Sequence, residues 1–443
     1  MLALAALFDT DVVARAAVVQ GYDSNTDQTQ ESPGAALVTR HPAPFTGVDA
    51  SAELRFPGRD LDLTTLRVGG RADHYEPIGG DAAPGDAPSG DGAVQGLLTS
   101  RLTLDARTAL TLREAASLTS FNAARATDGT VFVFDPTLLQ STYWIEDFDA
   151  AIVHELAPTW RLTTALGAVA SGTVASQTAA SQTAAGLTGP VVDHHGFDYV
   201  LPYAQADLTH DLTPRSRGDL SVLYQYAYQA FVLDLTRDPA TNIGPDKTSF
   251  ATALAGYAYD VGPGLTTALH AGVVVASAPP RTVDQHVVVS PSGAGGIAYH
   301  DDAFDLVGAA SFTWGTVTPR LGSGPTANAS VVAVGVPSQV GAWQNLALVG
   351  TAQLSYSLLS TGADASSKLG IYAGGLEVRY ALDRWLGVTA GYDVRYATFD
   401  VPPPVDTTPF FQQVVYVGLS GYLSTDPTQL PLVRYAPALQ PPG

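Results

Sequence analysis

Three histidines in this sequence stand directly before an acid, as His154-Glu155, His210-Asp211 and His300-Asp301. A carboxylate beside an imidazole orients the ring and supports general-base chemistry. Adjacent residues of a strand, however, point to opposite faces, so none of these pairs forms a dyad by itself. Each precedes a turn-like stretch, which predicts polar strand ends at a membrane interface. Asp193-His194-His195 carries metal-ligand types, but two neighbours in a loop fall short of the converging ligand set of a zinc centre. Asp81, Asp86 and Asp91 within Gly79 to Gly92 are spaced like a calcium loop that lacks its bidentate Glu. No Gly-x-Ser-x-Gly elbow, phosphate loop or zinc signature occurs. The absence of cysteine excludes disulfides, thiolate metal sites and thiol nucleophiles. The chain reads as a non-enzyme, with no cofactor and no metal expected.

The more informative chemistry lies in charged residues that alternate with apolar ones. Between Phe45 and Phe56, Val48, Ala50, Ala52 and Leu54 share one face and Asp49, Ser51, Glu53 and Arg55 the other. Leu66, Val68, Gly70 and Ala72 likewise oppose Arg67, Gly69, Arg71 and Asp73. Near the end of the chain Leu376, Val378 and Tyr380 oppose Glu377 and Arg379, and Val388 to Tyr396 oppose Asp393 and Arg395. With Arg101, Arg113, Arg161, Asp207, Arg217 and Asp219, these charges are the candidate lining of a polar lumen. An Arg turned to lipid at mid-depth would cost on the order of 2 to 4 kcal/mol, so the charges belong inside. Mixed signs at similar depth predict a hydrated wall and cross-strand pairing, without strong selectivity for one ion.

The elements that position them are strands. Alternation at period two runs through segments of roughly 10 to 15 residues, the length of a tilted transmembrane strand. Short turns fall at Phe56 to Arg59, Leu104 to Arg107, His154 to Pro158, His210 to Pro214, Tyr259 to Pro263, His300 to Asp302, Val336 to Ser338 and Leu382 to Arg384. Longer loops rich in Gly, Pro, Asp and Thr separate them, among them Gly79 to Gly92, Ser171 to His195, Thr236 to Lys247 and Val401 to Thr408. Eight short turns join sixteen strands; a first strand through Val18 to Tyr22 and a last through Phe410 to Leu423 make about eighteen. The expected fold is an all-β, antiparallel, up-and-down transmembrane barrel. Both termini then fall on the short-turn side, where the ring can close without an edge. Trp144, Trp160, Trp314, Trp385, Tyr143, Tyr380 and Tyr396 fall near strand ends, as aromatic girdles do. The stripe Tyr224, Tyr226, Tyr228 shares the phase of Leu220 and Val222 and reads as part of a girdle, with a sugar-stacking track as the alternative.

Composition agrees. Of 443 residues, 46% are hydrophobic and only 14% charged, against roughly 25% charged in soluble domains. No apolar run approaches the roughly 18 residues of a membrane-crossing helix. The formal charge of −20 excludes nucleic acid as a partner, because phosphates demand a basic footprint. Leu2 to Phe8 and Ala14-Arg15-Ala16 resemble the apolar core and cleavage site of a signal peptide. Residues 1–16 are therefore expected to be a leader remnant, 17–424 the barrel and 425–443 a proline-rich periplasmic tail.

Gly21-Tyr22-Asp23-Ser24-Asn25 resembles the opening of a family of bacterial outer-membrane β-barrel porins associated with polysaccharide export, including eighteen-stranded myxobacterial members. The resemblance implies a passive conduit in the outer membrane for a secreted polysaccharide, with a periplasmic export protein as partner and no catalytic residues. Two alternatives stand beside it. One is a general diffusion porin for small polar solutes; the other is a surface-attached all-β binding protein.

Overall fold

The computed structural model describes residues 11–24, 42–58, 62–76, 90–120, 141–176, 199–229, 246–277, 287–301, 304–318, 322–335, 345–360, 366–383, 385–400 and 410–425. The first strand is β1 (Asp11–Asp23). Hairpins with short turns follow: β2 (Ala43–Pro57) with β3 (Leu63–Tyr75), β4 (Gly90–Asp105) with β5 (Thr108–Ser120), β6 (Ser141–Ala157) with β7 (Trp160–Ser176), and β8 (Tyr199–Thr213) with β9 (Ser216–Gln229). The series continues through β10 (Asp246–Gly262) and β11 (Leu265–Ser277), β12 (Val287–His300) and β13 (Phe304–Thr318), then β14 (Gly322–Gly335) and β15 (Leu346–Ser360). It ends with β16 (Ser366–Ala381), β17 (Leu386–Asp400) and β18 (Phe410–Ser424). Each strand pairs antiparallel with its sequence neighbours, and β1 pairs with β18 to close an 18-stranded barrel.

Seven of the eight short turns expected from the sequence join these hairpins, and acids organise several of them; β14 and β15 are joined by residues 336–345, and the expected turn Val336 to Ser338 lies outside the described residues. Asp105 accepts the Arg107 N–H at 2.7 Å, and Asp301 accepts the Phe304 N–H at 2.7 Å. Asp383 accepts from both Trp385 and Leu386, at 2.6 and 2.9 Å. An aspartate thus satisfies backbone donors that the ladder leaves over at a tight reversal. At the β10–β11 turn Gly264 takes a φ of 77° while its carbonyl accepts the His300 N–H at 2.8 Å. A side chain there would overlap the His300 carbonyl oxygen, so only glycine fits.

The two faces separate as the alternation requires. Leu166, Leu220, Leu269, Val417 and Leu419 stand exposed on the outside, whereas Val19, Glu53, Arg71 and Ser420 are buried on the inside. Outward aromatics gather near strand ends, with Trp160, Tyr257, Tyr259, Tyr380 and Trp385 on the short-turn side and Trp144, Tyr224, Tyr228, Tyr356 and Tyr396 on the loop side. Tyr224, Tyr226 and Tyr228 do lie on the outer face, in phase with Leu220 and Val222. His154 and His210 sit at the outer short-turn rim. There His154 Nδ1 is 2.9 Å from the Thr108 hydroxyl, and His210 stacks on Trp160 at 4.1 Å. Glu114 and Glu146 interrupt the outer face of β5 and β6.

The barrel begins earlier than expected. Asp11 to Ala16 belong to β1, paired with β2, and Arg15 is buried among inward-facing residues. The reason is visible in the alternation: Val13, Arg15, Ala17, Val19 share one phase, and it runs unbroken through the expected boundary at Ala17. Asp91 lies in β4 opposite Asp73 and not in a loop. Asp81, Asp86, His194, His195, the loop Val401 to Thr408 and nearly all of the expected tail lie outside the described residues.

The β1–β18 seam is latched at both ends by a hydroxyl residue just beyond the strand. Ser24 N–H donates to the Gln413 carbonyl at 2.9 Å, and Gln413 N–H donates to Ser24 Oγ at 2.8 Å. At the other end Thr425 N–H donates to the Val12 carbonyl at 3.0 Å, and Val12 N–H donates to Thr425 Oγ1 at 2.8 Å. Ser24→Ala and Thr425→Val are each expected to lower unfolding free energy by about 0.5–1.5 kcal/mol. Urea titration read by the folded band on unheated gels checks this; unchanged midpoints for both variants would refute the latch.

Candidate functional site

The inward face of the closed sheet carries the chemistry. All sixteen candidate lining residues fall on it by register, and most are drawn into networks along the wall. On β2 and β3, Glu53 lies between two guanidinium groups, 2.5 Å from Arg55 and 2.7 Å from Arg67. Two register steps away the order of charge inverts, and Arg71 lies between Asp49 at 3.8 Å and Asp73. The register sets these up: Glu53 faces Arg67, and Asp49 faces Arg71. On β16 Glu377 pairs with Arg379, and Arg113 of β5 reaches Asp147 of β6 at 2.5 Å. Asp207 accepts from Gln205 at 2.9 Å. Arg101, Arg161 and Arg217 stand exposed near the short-turn end, and none forms an ion pair among the described residues. Asp393 and Arg395 lie on β17, opposite Gly375 and Ala373 of β16.

A second device ties polar groups across three strands. In each case the middle strand contributes glycine, so that the outer two side chains meet above it. Tyr416 of β18 donates to Glu377 of β16 at 2.8 Å, over Gly391 of β17. Tyr203 of β8 donates to Asp149 of β6 at 2.9 Å, over Gly167 of β7. His270 of β11 and Asp219 of β9 meet at 3.1 Å over Gly256 of β10. A Cβ on any of these glycines would overlap the side chain lying across it. Long side chains are thereby laid flat along the wall and do not project into the lumen.

Several members of these networks were not among the sequence candidates: Asp147, Asp149, Tyr203, His270 and Tyr416. In Glu146-Asp147-Phe148-Asp149 acids fall on both phases, which hides the inward face. Around Tyr416 both phases are apolar. Glycine spacing within one strand carries no sign of which neighbour will cross it, so the three-strand rows had no local signal.

A closed antiparallel sheet with a mainly apolar, aromatic-flanked outside and most of its strand charges on the inside is a transmembrane β-barrel. With its even strand number and most of its short turns on the side where both termini lie, it is a protein of the bacterial outer membrane. Among solved structures it is similar to the outer membrane protein opdK from Pseudomonas aeruginosa, at 14% identity and a TM-score of 0.39, covering 93% of this chain and 99% of that one. OccK9 (OpdG) of the same organism is 9% identical at a TM-score of 0.41, covering 95% of this chain and 99% of its own. The FrpB iron transporter from Neisseria meningitidis is 9% identical at a TM-score of 0.43, covering 94% of this chain and 83% of its own. No protein-family model matches the chain, and no curated protein is similar to it.

Gly391→Ala is expected to destabilise the barrel by about 1–3 kcal/mol, because the added methyl must displace the Tyr416 ring. Gly391→Ala with Tyr416→Ser should recover much of that loss in the same urea assay. Equal losses in the single and double variants would show that the ring and the glycine are not coupled.

Proposed function

We propose that this barrel is a passive aqueous conduit whose cargo is a secreted polysaccharide. The observation that carries the reading is local neutralisation of the wall. Inward guanidinium and carboxylate groups hold one another within β2–β3, β5–β6 and β16, each charge beside its opposite. Such a wall presents many hydrogen-bonding groups but little net field. A hydroxyl-rich polymer can exchange water contacts for wall contacts on it, and along these paired stretches no charge of one sign retards or selects it. Tyrosines laid flat across glycines also limit protrusions on which a chain would catch. In the motif shared with export-associated porins, Gly21 accommodates the Phe45 ring, Asp23 accepts from Gln412 at 2.8 Å, and Ser24 latches the seam. These residues have a structural part in closing the barrel; the motif supports the family resemblance and not the cargo. A periplasmic export protein docking on the short-turn side is the partner this reading needs.

The same wall would pass small polar solutes, and that second reading is separated by experiment. In planar bilayers the refolded protein is expected to give steady conductance steps with weak ion preference. Neutral dextran added to the short-turn side should block them transiently, with residence times that grow with chain length. Glu53→Gln leaves Arg55 and Arg67 without their shared acid and should shift the reversal potential towards anion preference. Steady steps indifferent to dextran would favour a diffusion porin, and strong ion selectivity in the unaltered protein would remove the basis of the proposal.

A further inference from the structure

The wall is not uniformly laddered. β12 pairs with β11 from Leu265↔Tyr299 to Ser277↔Val287, yet with β13 only from Gly293↔Phe312 to His300↔Asp305. Val287 to Ser292 therefore have a ladder partner on one side alone. β13 goes on pairing with β14 as far as Thr318↔Gly322, so its residues Thr313 to Thr318 pass β12 without joining it. β14 in turn meets β15 only from Thr326↔Ser357. The loop-side tip of the β13–β14 hairpin is joined to neither neighbour.

Prolines mark both edges. Pro325 is the first β14 residue beyond the β15 ladder, and it pairs with Trp314. Continuing the β12–β13 register would set Pro291 opposite that same Trp314. A proline brings no N–H to a ladder and is confined to edges and irregularities of sheets. Pro291 makes continued β12–β13 pairing unfavourable, and Pro325 does the same for continued β14–β15 pairing.

The break is flanked on the outside by apolar residues. Val273 and Val275 of β11, register partners of Pro291 and Val289, face outward and are 47% and 37% exposed. Val287 and Val289 on the edge itself are each 66% exposed. Backbone groups of an open edge have no partner in hydrocarbon, so water from the lumen or a polar ligand group must reach them. On the inner side of the same stretch Val288 packs against the buried cluster of Ala227, Phe250, Val274 and Ala276. Ser290 and Ser292 follow along the same inward face, where both are buried and 8% and 7% exposed, so a head group reaches them only as the edge parts from β13. Apolar surface thus continues from outside to inside past an unpaired backbone edge, next to two hydroxyls.

We propose that the β12–β13 break is a lateral portal between the lumen and the outer leaflet, and that it takes a lipid-class amphiphile. The acyl chain lies against Val287 to Val289, and the polar head reaches Ser290, Ser292 and the unpaired backbone groups. The membrane is the source because the break opens directly onto lipid. This inference does not depend on the cargo of the axial channel.

The chain has no cysteine, so single labels report cleanly. A nitroxide on Val288→Cys, in the full-length protein in phosphatidylcholine vesicles, should relax more with oxygen, which partitions into lipid, than with a water-soluble nickel chelate. The same label on Ser117→Cys, inward-facing where β5 ladders to β4 and β6, should show the opposite preference. Palmitoyl lysophosphatidylcholine should broaden the spectrum at 288 and leave 117 unchanged. Nickel preference at both sites, or no response of 288 to the lysolipid, would overturn the portal. Ser290→Cys with Gly315→Cys provides a second measurement, since those residues would be opposite if the ladder continued. They should resist oxidative cross-linking, whereas Ser117→Cys with Ile145→Cys, opposite one another, should cross-link. Efficient cross-linking of both pairs would equally overturn it.

Discussion

Hydrocarbon offers no hydrogen-bond partner to a peptide group, and each part of this architecture answers that constraint. An open sheet would leave two raw edges in lipid, so the chain returns β18 to β1 and ladders them from Val13↔Ser424 to Asp23↔Val414. Where the ladder runs out at the seam, the hydroxyls of Ser24 and Thr425 extend it by one step. Where it reverses, Asp105, Asp301 and Asp383 accept the leftover N–H groups. The facing rows of β12 and β13 that do not ladder to each other depart from this rule beside apolar outward residues, which is the basis of the portal proposed there.

The same low-dielectric surroundings sort the charges. A side chain on the outer face meets acyl chains, so Arg is driven inward on every strand where the faces could be assigned. Inside, opposite charges are brought together by register: a period of two along each strand turns Glu53 and Arg67 into direct neighbours. Such pairs are weak evidence of stability, since desolvation offsets much of their attraction. Their main consequence is a wall without a strong net field, despite a chain whose formal charge is −20.

Glycine has a positional part in this interior. At Gly167, Gly256 and Gly391 the missing side chain opens a path between residues two strands apart, and Tyr203, His270 and Tyr416 lie in it. Each bridge couples three neighbouring strands, which resists shear between them more than a pairwise contact would. It also holds those rings against the wall, so the same arrangement couples the strands and keeps these side chains from standing across the axis.

The sequence by itself determined the strand count, most of the short turns and the apolar phase that forms the outer face. These follow from local rules, because a period of two and turn chemistry act within a few residues of chain. Local rules failed where both phases carried the same character, as in Glu146 to Asp149, or where an alanine-rich strand imitated a leader, as at Ala14 to Ala16. Only the tertiary structure decided which residues meet across strands. Asp23 and Gln412 are separated by 389 positions yet hydrogen-bonded, and Asp219 reaches His270 only because Gly256 falls between them. The break beside Pro291 is of the same kind. A proline is legible in one strand, but its effect depends on the register of a neighbour, and register belongs to the assembled sheet.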